Sequence, residues 1–171
     1  MKHLMFIILS VILVVGCDKS PSEPVDTTPE ISVSPAETFL SVGQTGDLML
    51  LGENLDTYLF GFSARISYSP AIISFNDTTG LTEGDFFGSE IVTFVKSESS
   101  LIHLAISRTD DEDGGMQSGI LAQLSFKAVA PGSSSVEILT ADLNLYDQTG
   151  GLITISSLEM ESATIVVAGN Q

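Results

Sequence analysis

The side chains able to do covalent or acid–base chemistry are few and unevenly spread. Among 171 residues there are one cysteine, Cys17, and two histidines, His3 and His103, against 22 aspartates and glutamates. A Cys–His dyad needs a thiol within reach of an imidazole, and a zinc cluster needs three or four such ligands. One cysteine near the N-terminus and one distant histidine supply neither. A Ser–His–Asp triad would have to use His103, which sits inside the apolar-alternating run Leu101–Ser107. No Gly-x-Ser-x-Gly elbow presents a nucleophile, and no glycine-rich phosphate loop is present. Paired carboxylates for glycoside cleavage can be drawn from so many acids, but sugar clefts hold their ligand on aromatic platforms, and the chain has no tryptophan. Asp110-Asp111-Glu112-Asp113-Gly114-Gly115 has the outline of a calcium loop. Ending the pattern D-x-[DN]-x-[DN]-G at Gly114 puts Thr109 in the first position and Ile120 in the closing one, and both fail. It reads as a solvated acidic turn. The chain is therefore read as non-enzymatic, with no metal ligands and no cofactor. Its formal charge of −16 argues against nucleic acid, which demands a Lys/Arg surface, and against an electrostatic hold on anionic lipid.

The elements that would position any site are strands. From Phe60 the chain alternates: Phe60, Phe62, Ala64, Ile66 and Tyr68 point one way, while Gly61, Ser63, Arg65 and Ser67 point the other. A period of two marks a strand with one buried and one wet face. Ser69-Pro70 then turns the chain before Ile72–Phe75. Similar short runs occupy Ile31–Val33, Asp47–Leu51, Ile91–Val95, Leu101–Ser107, Ile120–Ala128, Val136–Leu139, Asp142–Tyr146 and Ala163–Val167, broken by Gly, Pro, Asn, Asp and Ser. No stretch keeps a helical period, and β-branched and aromatic residues fill the runs. About nine short strands predict an all-β, antiparallel sandwich over residues 31–168. In the run Leu101–Ser107, Ile102, Leu104 and Ile106 alternate inward and Leu101, His103, Ala105 and Ser107 outward. His103 is then either a plain surface histidine or a contact on a binding face. Arg65 either pairs with a nearby acid or serves as a rigid donor at an interface.

Ahead of the strands, the N-terminus reads as an address. Met1-Lys2-His3 is a basic start, and Leu4–Val15 is an apolar run too short for a bilayer-spanning helix, which needs roughly 20 residues. It ends in Val14-Val15-Gly16-Cys17, which resembles the lipobox of bacterial lipoproteins. That resemblance implies a signal peptide over residues 1–16, lipidation of Cys17 and an extracytoplasmic, membrane-anchored protein, held in the periplasm or at the cell surface. Three of the six prolines, Pro21, Pro24 and Pro29, lie between Asp18 and Glu30 among Ser, Thr and acids. With Cys17 that segment makes residues 17–30 an extended, solvated tether.

Within the sandwich a series of motifs recurs in a telling order: Val42-Gly43-Gln44-Thr45-Gly46-Asp47, then Gly61-Phe62 through Tyr68-Ser69-Pro70, then Gly119-Ile120-Leu121-Ala122-Gln123-Leu124-Ser125-Phe126-Lys127-Ala128, then Pro131-Gly132, and last Asp147-Gln148-Thr149-Gly150-Gly151. Together they resemble cohesin domains, from Ile31 to Ala168. The resemblance implies a nine-stranded jelly-roll sandwich that docks a dockerin, a small calcium-loaded helical module, across a sheet face containing the Phe60–Tyr68 strand. The candidate contacts are then the outward Gly61, Ser63, Arg65, Ser67, Leu101, His103 and Ala105. Two other readings stand beside it. One is a structural envelope lipoprotein without a dockerin. The other is a carbohydrate-binding module, for which Tyr58, Tyr68, Tyr146 and a loop-exposed Phe86-Phe87 would have to supply the aromatic platform.

Overall fold

A computed structural model of the chain describes residues 27–55, 57–110 and 118–169. Cys17, the segment 1–16, most of the tether and residues 111–117, which include all of the acidic turn but Asp110, lie outside them. Every alternating run forms a strand. In chain order these are β1 (Glu30–Ser34), β2 (Glu37–Ser41), β3 (Thr45–Glu53), β4 (Gly61–Ser67), β5 (Ile73–Phe75), β6 (Leu81–Glu83), β7 (Ile91–Glu98), β8 (Leu101–Arg108), β9 (Gly119–Ala128), β10 (Gly132–Ile138), β11 (Asn144–Tyr146), β12 (Leu152–Ile153), β13 (Glu159–Glu161) and β14 (Ala163–Ala168). A single 3-10 turn, Thr140–Asp142, precedes β11. The described residues thus hold fourteen strand segments where about nine were expected. The additions, β2, β6, β12 and β13, are two to five residues long. Segments this short are held by the ladder beside them and carry too little alternation to be seen on their own.

The strands form two sheets. One runs β13-β1-β3-β9, with β5 and β6 both paired to β9; the other runs β7-β8-β4, with β10 and β11 sharing the far side of β4, and continues through β10 to β14 and β2. Pairing is antiparallel except for β1 with β13 and β2 with β14, which are parallel. The inner faces bury Ile31, Val33, Leu48, Leu50, Phe62, Ile66, Ile102, Leu104, Leu124, Phe126 and Ile165 among others. A register shift at Leu50/Leu51 skips Leu121 on β9, a bulge that sends Leu121 and Ala122 both inward. Tyr68 packs at 5.7 Å from Phe126, and burial, helped by the Asp77 carboxylate, pushes its phenol pKa up.

Phe86-Phe87 correct the expectation of an exposed loop. Both are 1% exposed. The segment before them folds onto β9, where Phe86 N donates to Ile120 O at 3.0 Å and Ile120 N donates to the Asp85 carboxylate at 2.9 Å. Phe87 then stacks on Phe62 at 6.0 Å and meets the edge of Phe86 at 5.0 Å. The polar texture of the loop concealed a plug for one end of the sandwich. It also removes these two rings from any sugar platform.

Candidate binding face

On β4 the inward residues are Phe62, Ala64 and Ile66, and three of the four outward ones, Gly61, Ser63 and Ser67, are small. Register then matters. Gly61 lies opposite Ser107, Ser63 opposite Ala105, Arg65 opposite His103 and Ser67 opposite Leu101. All seven sequence-selected residues therefore share the outer face of one strand pair. Gly61 itself is buried against its neighbour, because a Cβ there would stand 2.8 Å from Ile106 O. The two backbones approach so closely only because that side chain is missing.

Taller side chains rise on both sides of this low floor. Strand β7 sets Val92 opposite Ser107, Phe94 opposite Ala105 and Lys96 opposite His103. Val92 is 61% and Phe94 57% exposed. On the other flank β11 sets Tyr146 opposite Gly61 and Asn144 opposite Ser63. The face is thus a trough along β4 and β8, made of two adjoining hollows of about 320 and 380 Å³ that share Phe94 and Ala105. The hollow at the Tyr146 end is walled by Val92, Phe94 and Tyr146. The other is closed by Arg65, His103 and Asp142. Ser63 Oγ sits 3.3 Å from Tyr146 Oη and 3.5 Å from Asn144 Nδ2, which ties the floor to the wall. Arg65 forms an ion pair with Asp142 of the 3-10 turn, the first of the two readings for that residue. Half exposed, such a pair adds at most about 1 kcal/mol to stability, but it fixes the guanidinium at the trough's end. His103 is half-buried, with cations on both neighbouring strands. Among the described residues no group of three His, Cys, Asp or Glu is gathered to hold a metal.

Sequence reasoning found the runs that become β7 and β11 but not their place beside β8 and β4. Ile91–Val95 is apolar on both sides but for Thr93, so its composition hid which residues face out; parity carried on to Lys96 would have separated Val92, Phe94 and Lys96 from Ile91, Thr93 and Val95. The placement of Tyr146, Asn144 and Asp142 depends on long-range pairing and has no local signal.

The β11–β12 hairpin that carries Tyr146 turns on Asp147. Its Oδ1 accepts from Thr149 N, Thr149 Oγ1 and Gly151 N, each at 2.8 Å, and Gly150 adopts φ +79°. This gives Asp147-Gln148-Thr149-Gly150-Gly151 its physical reason. The Thr149 hydroxyl first, then the Gly151 and Thr149 amides, hold the carboxyl pKa below its usual range. Since the folded pKa is lowered, the turn is fully held above the ordinary aspartate value of about 3.9 and released only as pH falls through the lower folded value. The Thr149 and Gly151 amide resonances should therefore titrate together with a midpoint below about 3.9, and Asp147→Asn should abolish that titration. A midpoint at or above that value would refute the arrangement.

This architecture matches solved cohesin structures. A type II cohesin domain from the cellulosome of Acetivibrio cellulolyticus aligns at TM-score 0.67 and 18% identity, over 81% of this chain and 95% of that one. A type I cohesin–dockerin complex from Clostridium thermocellum aligns at 0.66 and 14%, over 88% and 100%. A non-cellulosomal cohesin from the hyperthermophilic archaeon Archaeoglobus fulgidus aligns at 0.62 and 17%, over 82% and 91%. No protein-family model and no curated protein matches the chain. The class is thus defined by shape: an all-β sandwich with the cohesin fold.

Proposed function

We propose that the chain is a non-catalytic docking module that captures a dockerin-bearing protein on the outer face of β7, β8, β4 and β11. The observation that carries this reading is the trough itself. It has a floor of Gly61, Ser63, Ala105 and Ser107 and two exposed apolar side chains, Val92 and Phe94, side by side on its wall. Exposed apolar side chains beside a polar rim mark interaction sites. Several structures of the same fold are cohesin–dockerin complexes. The lipobox-like Val14–Cys17 adds an anchor, so that the partner is held at the outer side of a membrane through the tether.

The test is calorimetry of the full chain against every dockerin module encoded in the source genome. At least one should bind at micromolar affinity or tighter, and Phe94→Asp should weaken it about a hundredfold, as expected for a central apolar anchor, with no change in melting temperature. No binding by any module, or binding indifferent to Phe94→Asp, would overturn the reading. Anchoring is checked separately: radiolabelled palmitate should enter the wild-type protein in cells and fail to enter Cys17→Ser.

A further inference from the structure

The few cations of this acidic protein are placed unevenly. Arg65, Lys96, Arg108 and Lys127 are the lysines and arginines among the described residues, and His103 is their one histidine. Arg108 is spent internally, 8% exposed, over the Phe60 ring at 5.6 Å and bonded to Asp110. Lys127 lies on the opposite sheet. The other three, Lys96, His103 and Arg65, are direct cross-strand partners in one row over β7, β8 and β4. Lys96 and Arg65 flank His103, and basic side chains set side by side on a sheet do not stabilise it, so beyond the Arg65–Asp142 pair this row adds little to the fold. The acids around it are Asp142, which pairs with Arg65; Glu98 and Glu137, one step along the strands opposite Leu101 and Ser67; and Asp77, whose loop bonds the β7 edge at Ser97 and which feels the Lys96 charge. Asp142 accepts from a single nitrogen of Arg65, and a guanidinium carries five N–H donors in a fork suited to a second carboxylate.

We infer, resting on the docking reading above, that the Lys96–His103–Arg65 row is a carboxylate anchor. The partner is an acidic amphipathic helix laid along the trough. Its Asp or Glu meets the row, and its bulky apolar side chains enter the hollow between Val92, Phe94 and Tyr146. The dimensions agree: β7 to β11 spans three strand spacings, about 14 Å, and a helix with its side chains is about 10–12 Å across. The charge pattern sets orientation, because everywhere else a protein of formal charge −16 repels an acidic helix.

A phage-displayed library of helical peptides, selected on the full chain, tests this. The recovered peptides should carry an Asp or Glu at one end of an apolar stripe. Changing that acid to Lys should weaken binding about tenfold or more, the scale of a hydrogen-bonded charge. The double variant Arg65→Glu, Lys96→Glu should lose the original peptides and bind the Lys-bearing ones. Peptides without an acid, peptides indifferent to the double variant, no peptides at all, or binding of a glycan array in their place would each overturn it. The two claims separate cleanly. Dockerins that bind wild type and double variant equally leave the docking reading standing and remove the anchor. Acidic helices that bind where no dockerin does keep the anchor and remove the dockerin.

Discussion

Phe87→Ala should lower the unfolding free energy by about 3–5 kcal/mol, the usual range for emptying a buried phenylalanine site. The ring is 1% exposed and stacks within 6° of parallel on Phe62, with Phe86 at its edge. Phe62 is the inward residue between Gly61 and Ser63, so the void opens directly under the trough floor. Against a typical domain stability of about 5–15 kcal/mol, the variant would be close to marginal. Urea unfolding checks it: the midpoint should fall while the slope stays constant. A shift worth less than about 1 kcal/mol would mean that Phe87 lies outside the core, as its loop composition suggested.

The second large effect comes from a single methyl group. A Cβ on Gly84 would lie 1.8 Å from Ile120 O and 2.4 Å from Ile120 C. Both atoms are backbone, so no rotamer relieves the clash and the loop must leave β9. With it go the Gly84 N–Leu121 O and Phe86 N–Ile120 O bonds, at 3.3 and 3.0 Å, and the seating of both phenylalanines. We expect Gly84→Ala to destabilise by about 3 kcal/mol or more, the upper end of overpacking costs. Gly88 is the control. It has φ +77° with open space around it, so Gly88→Ala should cost only about 1 kcal/mol through backbone strain. Equal melting temperatures for the two variants would refute the close approach at Gly84.

How much of this was legible depends on distance along the chain. The alternation in Phe60–Tyr68 assigned Phe62, Ala64, Ile66 and Tyr68 to the core and Ser63, Arg65 and Ser67 to the other side, and the structure agrees; Phe60, expected inward, is half-buried ahead of β4 with Leu59 fully buried in its stead, and Gly61, expected outward, is buried. Period-two patterning is a local property of a half-buried strand, so it can be read locally. Leu101–Ser107 was legible for the same reason. Which strand lies beside which was not. The walls of the trough come from β7 and β11, roughly 30 and 80 residues from β4, and pairing partners are chosen by the whole core. Phe86-Phe87 failed for a related reason. Their neighbours Gly84, Asp85 and Gly88 have the composition of an exposed turn, yet Gly84 and Asp85 are there to let the chain touch Ile120. The N-terminal address was read from a resemblance to the lipobox and lies outside the described residues, so labelling is its test.

The two parallel pairings bear on when the domain can form. β1 joins β13 and β2 joins β14, so strands from the beginning of the sandwich complete both sheets only beside strands from its end. Such closures span well over a hundred residues, and a topology dominated by distant pairings folds slowly because chain entropy must be lost before contacts compensate it. A nascent chain lacking Ala163–Ala168 leaves β2 without a partner and the inner face of β14's place open to water. Folding is therefore postponed until synthesis has passed Ala168, and the trough is among the last features of the chain to exist.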